Sequence, residues 1–108
     1  MPNYLLAYHG GGMPETDEAR AQVMAAWGKW FGELGSSLID GGNPVGRART
    51  VNGGGTVADG GGANPLTGYS LIKADSLDAA VALARGCPIV QDSAHPGSIE
   101  VCETFDAM

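Results

Sequence analysis

The sequence predicts a single α+β domain of the split βαβ type, with an antiparallel sheet and two helices on one of its faces. Its length of 108 residues is near the commonest size for one domain. Its apolar segments follow the order strand, helix, strand, hairpin insert, strand, helix, strand. Its 18 glycines stand largely in clusters between those segments, which is typical of turns in a globular fold.

The first strand and the first helix have clear local signals. The segment NYLLAYH is rich in aromatic and branched side chains and ends at three glycines, so it is predicted to be a strand. Thr16 is the predicted N-cap of the helix, with Asp17 and Glu18 in its first turn. The apolar face repeats at three- and four-residue steps through Val23, Trp27, Trp30, Phe31 and Leu34. A second stripe predicts that another backbone packs close to this helix: Ala21, Ala25, Gly28, Gly32 and Gly35.

The middle of the chain is predicted to be short strands and turns. The segment SSLID is a short strand candidate that ends at two glycines. The segments RARTV and TVADG flank NGGG, which is a hairpin signal, so they are predicted to form a β-hairpin insert. The segment GYSLIKA is the next strand.

The second helix is the best punctuated element. DSLDAAVALARGCP begins at Ser76 or Asp75 as the cap, and it ends with Gly86 at C′ and Pro88 preventing continuation. The segment GSIEVCET is the last strand. In the resulting ferredoxin-like arrangement the helices cover one sheet face, so the other face must be polar or covered by a partner.

Charge and composition narrow the class of partner. The formal net charge is −6 with only six Lys plus Arg, and such a surface repels phosphate backbones, so we expect no nucleic-acid binding. The run YLLAY is too short for a signal peptide, and no stretch approaches the roughly 20 apolar residues of a membrane span. We therefore expect a cytoplasmic protein without membrane contact. Cys87 and Cys102 have neither metal nor redox spacing, so we expect reduced thiols and no metal or cofactor.

Several segments together resemble one family. They are YLLAYHGG, MAAWGKWFGELG, LIDGGNP, VADGGGANPLTGYSLIKADSLDAAVALARGCP and GSIEVCETF. In order and spacing they resemble the YCII-related proteins, in particular the DGPF-type branch, over nearly the whole chain. The DGPF segment falls on residues 59–62, where the Pro and Phe positions are both glycine. The resemblance implies a dimeric α/β barrel, in which the sheets of a homodimer pack face to face, and a signalling context with extracytoplasmic-function sigma factors.

The resemblance does not carry over a reaction. Other YCII branches have a His in the first helix that works with an Asp as a proposed acid–base pair. The comparable turn here is AAWGKW, which contains no His. If the chain is catalytic, His9 with Asp40 or Asp59 would have to replace that pair.

The stretch VADGGG raises a question about Asp59. Its glycines precede a strand rather than a helix, so they do not fit a phosphate loop. They allow positive φ in a turn that aims Asp59. Either Asp59 caps its own loop through local backbone hydrogen bonds, or it lines a pocket at the sheet edge.

The predicted site is a small polar pocket near the C-terminal end of the first strand, with His9, Asp40 and Asp59 as its catalytic candidates. His9 ends that strand, and LIDGG and VADGG each present an acid directly before glycines. A His within about 3 Å of a carboxylate has its charged form favoured, and His can serve as a general base near neutral pH. The alternative is a His that is merely exposed at a strand end.

Further residues are predicted around this site. Tyr8, Tyr69 and Glu100 are expected on the face between subunits. Arg20 either snorkels or reaches a carboxylate such as Asp40 or Asp59. His95, among turn-forming residues, is expected to be solvated, and the two tryptophans are expected to be core.

Three functions remain open from the sequence. The first is a cofactor-independent enzyme of lyase or isomerase type, the second is a ligand-binding or regulatory partner without catalysis, and the third is a structural dimer. A pocket holding His9 beside a carboxylate would favour the first. A pocket lined by apolar groups without that pair would favour the second, and a filled sheet interface would favour the third.

Overall fold

The computed structural model describes residues 1–12, 14–92 and 96–105. His95, which we expect to be solvated, lies outside the described residues. In chain order the elements are β1 (Asn3–Gly10), α1 (Asp17–Leu34), β2 (Leu38–Asp40), β3 (Arg49–Val51), β4 (Val57–Asp59), β5 (Leu66–Lys73), α2 (Leu77–Ala84), α3 (Pro88–Gln91) and β6 (Gly97–Glu103).

The main sheet has four antiparallel strands in the order β2-β5-β1-β6. This confirms the predicted α+β architecture and is the strand order of a ferredoxin-like split βαβ fold, with β1 in the centre. β3 and β4 form a separate two-stranded ribbon, as the NGGG signal predicts. No helix within the described ranges is long and apolar enough to cross a bilayer.

The core lies between the sheet and the helices. Successive side chains of a strand point to opposite faces, and the β1 residues Tyr4, Leu6 and Tyr8 are the ones that face the helices. They join Trp30 and Leu34 of α1 in one buried cluster. No helix of the described ranges packs on the opposite face of the sheet, which we call the outer face, and the molecule is only 19 Å thick in its shortest dimension. A single layer of helices on a single sheet explains that thickness.

α1 confirms the prediction at its cap and on its apolar face. The Thr16 side chain accepts a hydrogen bond from the Ala19 N–H at 3.1 Å. Trp30 and Leu34 are buried, and Trp27 and Phe31 pack against the core. The prediction that another backbone packs close to the stripe of small residues is wrong for the described part of this chain. Gly28 is exposed, and an added Cβ at that position would meet nothing within 4 Å.

The end of the second helix differs from its prediction. Ser76 caps α2, with its Oγ accepting from the Ala79 N–H at 3.1 Å. Pro88 starts the separate short helix α3, where a missing N–H costs nothing at the first position. Gly86 does not adopt positive φ. An added Cβ there would lie 3.3 Å from the Trp30 indole, so close packing rather than a left-handed cap explains this glycine.

Candidate functional site

A cleft of about 1070 Å³ lies beside the C-terminal end of β1, between α1 and the loops that follow β1 and β2. Its wall combines aromatic side chains, glycine backbone and aliphatic side chains, including Tyr8, Trp27, Phe31, Gly42, Asn43 and Gly68, and it also includes the charged residues Lys29, Glu33 and Asp92. The sequence predicts a pocket at this end of the sheet, but a polar one. None of the three predicted catalytic residues lines the cleft.

Glycines make room for the cleft. Gly10 and Gly11 have φ of 70° and 78°, a backbone region that side chains disfavour. Gly42 has φ of 70°, and an added Cβ there would overlap the backbone oxygen of Tyr69. At Gly68 an added Cβ would lie 3.3 Å from the Tyr8 ring. Gly42 and Gly68 therefore let the loop after β2 approach β5 closely beside the cleft.

Tyr8 provides a buried polar group of the cleft wall. Its hydroxyl donates to Ser70 Oγ at 2.7 Å, and Ser70 Oγ donates to the Gly41 carbonyl at 2.7 Å. Burial raises the pKa of Tyr8 well above its usual value, so the phenol stays protonated. The Trp27 ring meets the Tyr8 ring edge-on at 5.1 Å between centroids. The wall is thus neutral and aromatic at this point.

His9 points to the outer face, away from the cleft, and its partner is Glu100. His9 Nε2 lies 3.2 Å from Glu100 Oε1, and Nδ1 lies 2.9 Å from the Asn64 carbonyl oxygen. One ring nitrogen thus faces a backbone carbonyl and the other a carboxylate. The His9 side chain is 9% exposed, whereas that of Glu100 is 65% exposed. Glu100 is therefore the member of the pair that presents reactive atoms outward.

The two predicted acids lie elsewhere. Asp40 Oδ1 accepts from the Gly42 N–H at 2.8 Å, so Asp40 rather than Asp59 caps its own loop. Asp59 Oδ1 lies 3.6 Å from Arg49 Nε across the ribbon, with its side chain 97% exposed. Neither alternative for Asp59 is what the structure shows. Within the described ranges, the carboxylate that contacts His9 is that of Glu100.

The predicted ligand-binding residues also lie in different places and do not form one site. Tyr8 faces the helices and the cleft rather than the outer face. Tyr69 lies opposite Ala7 on β5 and also lines the cleft, and its hydroxyl accepts from Asn43 Nδ2 at 3.3 Å. Arg20 is exposed, and its Nε donates to the Pro14 carbonyl at 2.7 Å instead of reaching Asp40 or Asp59.

The two thiols are free, Cys87 in the core and Cys102 on β6. Burial raises the pKa of Cys87 to about 12. Burial and the Glu100 carboxylate, whose Oε2 is 3.8 Å from Sγ, raise the pKa of Cys102. In the parts of the chain that the structure describes, no three His, Cys, Asp or Glu side chains are grouped as a metal ion would need.

Two residues of this region escape sequence reasoning. Trp27 has the spacing of a core residue, and it does pack against the core. It also lines the cleft, together with glycines of the loops after β1 and β2. Glu100 is predicted as a ligand residue but not as the partner of His9. The alternation in GSIEVCET is the available signal, since antiparallel pairing of β6 with β1 puts Glu100 opposite Ala7, two residues from His9.

Of the comparisons with known proteins, the one with family models gives a match. The sequence model of the YCII-related domain matches residues 2–106. No curated protein matches the chain.

Proposed function

Since the chain belongs to the YCII-related domain family, we propose that it is a homodimer that binds a small, largely apolar molecule in the cleft beside α1. The cleft is the observation that carries this proposal. Its volume of about 1070 Å³ is at the upper end of small-molecule sites, which are concave and mostly apolar with a few polar groups.

The lining indicates the chemistry of the ligand. Trp27 and Phe31 offer ring faces and edges to an aromatic or alicyclic group. Polar atoms of the ligand would meet the glycine backbone, the Asn43 amide and the acceptor lone pairs of the neutral Tyr8 phenol. Lys29 and Glu33 on α1 add one charge of each sign to the wall. His9 and Glu100 are not part of this wall. A cleft of this kind favours binding over proton transfer.

Binding without catalysis fits a regulatory partner. If the chain is of the DGPF-type branch, the resemblance links such a partner to extracytoplasmic-function sigma factor signalling. Ligand binding would then act by changing the surface that this chain presents to the signalling proteins.

The outer face supports the homodimer. Its residues on β1 and β5 include the pair Leu5 and Leu71 and the pair Ala7 and Tyr69; Ala7 is buried and the other three are partly exposed. Among the residues that the structure describes, no helix covers them. A second copy packed sheet to sheet, as in a dimeric α/β barrel, would remove this apolar surface from water.

A ligand screen with paired variants tests the proposal. Aromatic and alicyclic compounds are screened by thermal shift, and the affinity of a hit is measured by calorimetry. Trp27→Leu should weaken binding about tenfold, since losing an aromatic contact costs roughly 1 kcal/mol beyond the lost area. Glu100→Gln, on the outer face, is the matched control and should bind as the wild type does. Circular dichroism of both variants checks their fold.

A second candidate is favoured by the His9–Glu100 contact. A carboxylate held by a buried His resembles an acid–base pair, and in a cofactor-independent lyase or isomerase Glu100 would move the proton while His9 positions it. This replaces the pairing of His9 with Asp40 or Asp59. The screen above separates the two candidates. If the site is the His9–Glu100 pair, Glu100→Gln would weaken binding of the hit and Trp27→Leu would not.

A further inference from the structure

The β3–β4 ribbon stands apart from the rest of the chain. We define residues 46–63 as the arm; it contains β3, β4 and the turn between them. Every residue of the arm is exposed except Thr50, which is partly buried. The radius of gyration is 15.1 Å, against about 13 Å for a compact domain of this length, as expected when one segment projects outward.

The arm is ordered locally but has little to hold it. The Asn52 N–H donates to the Thr56 carbonyl at 2.7 Å, and Gly54 and Gly55 turn the chain with φ of 91° and 98°. An isolated two-stranded hairpin is marginally stable in water at best. The paired Val51 and Val57 at its end are 71% and 60% exposed. These side chains would be stabilised by burial against another surface.

The base of the arm fixes the side from which it leaves. The carbonyl oxygens of Asn64 and Pro65, directly after the arm, lie 2.9 and 3.3 Å from His9 Nδ1. His9 points to the outer face, so residues 64 and 65, at the base of the arm, lie on that side of the sheet. In the proposed homodimer the second copy lies there.

The charge distribution also indicates a second copy of this chain as the partner of the arm. The arm carries Arg47 and Arg49, two of the six basic residues, and a single acid, Asp59. The other acidic residues of the chain, which total 12 with Asp59, lie outside it. Within the described ranges Arg49 is paired with Asp59, whereas no ion pair includes Arg47. A basic arm and an acidic body are complementary between two copies of one chain.

We propose that the arm of each copy packs against the body of the other, with Val51 and Val57 buried and Arg47 beside acidic side chains of the second copy. This inference rests on the proposed homodimer. In the dimer the ribbon clamps the second copy, and the His9 contact with residues 64 and 65 sets its direction.

Photo-crosslinking tests the proposal. A benzophenone amino acid replaces Val51 in one variant and Met24, which is 65% exposed on α1, in the control. Isotope-labelled and unlabelled chains are mixed so that mass spectrometry separates crosslinks between copies from those within one. The Val51 variant should give several-fold more covalent dimer than the Met24 variant.

Sedimentation of charge variants completes the test. The double substitution Arg47→Glu with Arg49→Glu should raise the dimer dissociation constant about tenfold at low salt, and Lys29→Glu on α1 should not. If the wild type is a dimer but the crosslinks of the Val51 variant stay within one chain, the arm inference alone is overturned. A wild-type monomer would overturn both the arm and the dimer, while ligand binding in the cleft would stand or fall separately.

Discussion

At the residue scale, Gly42 is the position whose side chain is most strictly limited to hydrogen. It combines φ of 70° with a Cβ position that overlaps the Tyr69 backbone oxygen. Gly42→Ala should lower the free energy of unfolding by about 3 kcal/mol, because the backbone must shift as well as bear the strain. Gly54→Ala is the control, since Gly54 has φ of 91° in open space and should cost only about 1 kcal/mol. Equal losses in urea unfolding would contradict the overlap.

The two thiols should differ in how they respond to Glu100. Both have raised pKa values, so both carry less thiolate at pH 8 than an ordinary Cys and should be alkylated slowly. Glu100→Gln removes the negative charge near Cys102, so its pKa should fall and its alkylation by iodoacetamide should speed up several-fold. Cys87, whose pKa is raised by burial, should not respond. A parallel change at both cysteines would indicate general loosening instead.

At the element scale, local signals were enough wherever the local sequence decides the backbone. Thr16 and Ser76 cap their helices, the NGGG turn closes the ribbon, and the alternating side chains of β1 find their faces. The failures depend on tertiary structure. Pro88 follows the end of α2 but also starts α3. A helix of four residues is too short to show a helical repeat in the sequence. The partner of His9 depends on strand register between segments about 90 residues apart. The alternation in GSIEVCET puts Glu100 on one face of its strand but does not give that register.

The small-residue face of α1 provides a test of this element. Gly28 is helical and exposed, with nothing near an added Cβ. Gly28→Ala should therefore raise the free energy of unfolding by up to about 1 kcal/mol, as alanine is the better helix former. Thermal denaturation of the variant measures it. A loss of stability would mean that another backbone packs on this stripe, as the sequence alone suggests.

At the scale of the whole molecule, the uncovered sheet face predicts self-association. Leu71 lies on the outer face beside Leu5, so Leu71→Glu would put a charge into the proposed interface. The wild type should sediment as a dimer at micromolar concentration and the variant as a folded monomer. Glu33→Gln, on the exposed side of α1, is the control. A wild type that sediments as a stable monomer would contradict the packing.

The central claim is that the cleft beside α1, and not the outer face, holds a small molecule. The most direct test is an amide and indole NMR titration with a hit from the ligand screen. We predict that the largest shift changes fall on the Trp27 indole and on the amides of Gly10, Gly11 and Gly42, all of which belong to the cleft wall. Changes centred instead on His9, Glu100 and Cys102 would place the ligand on the opposite side of the sheet and contradict the account.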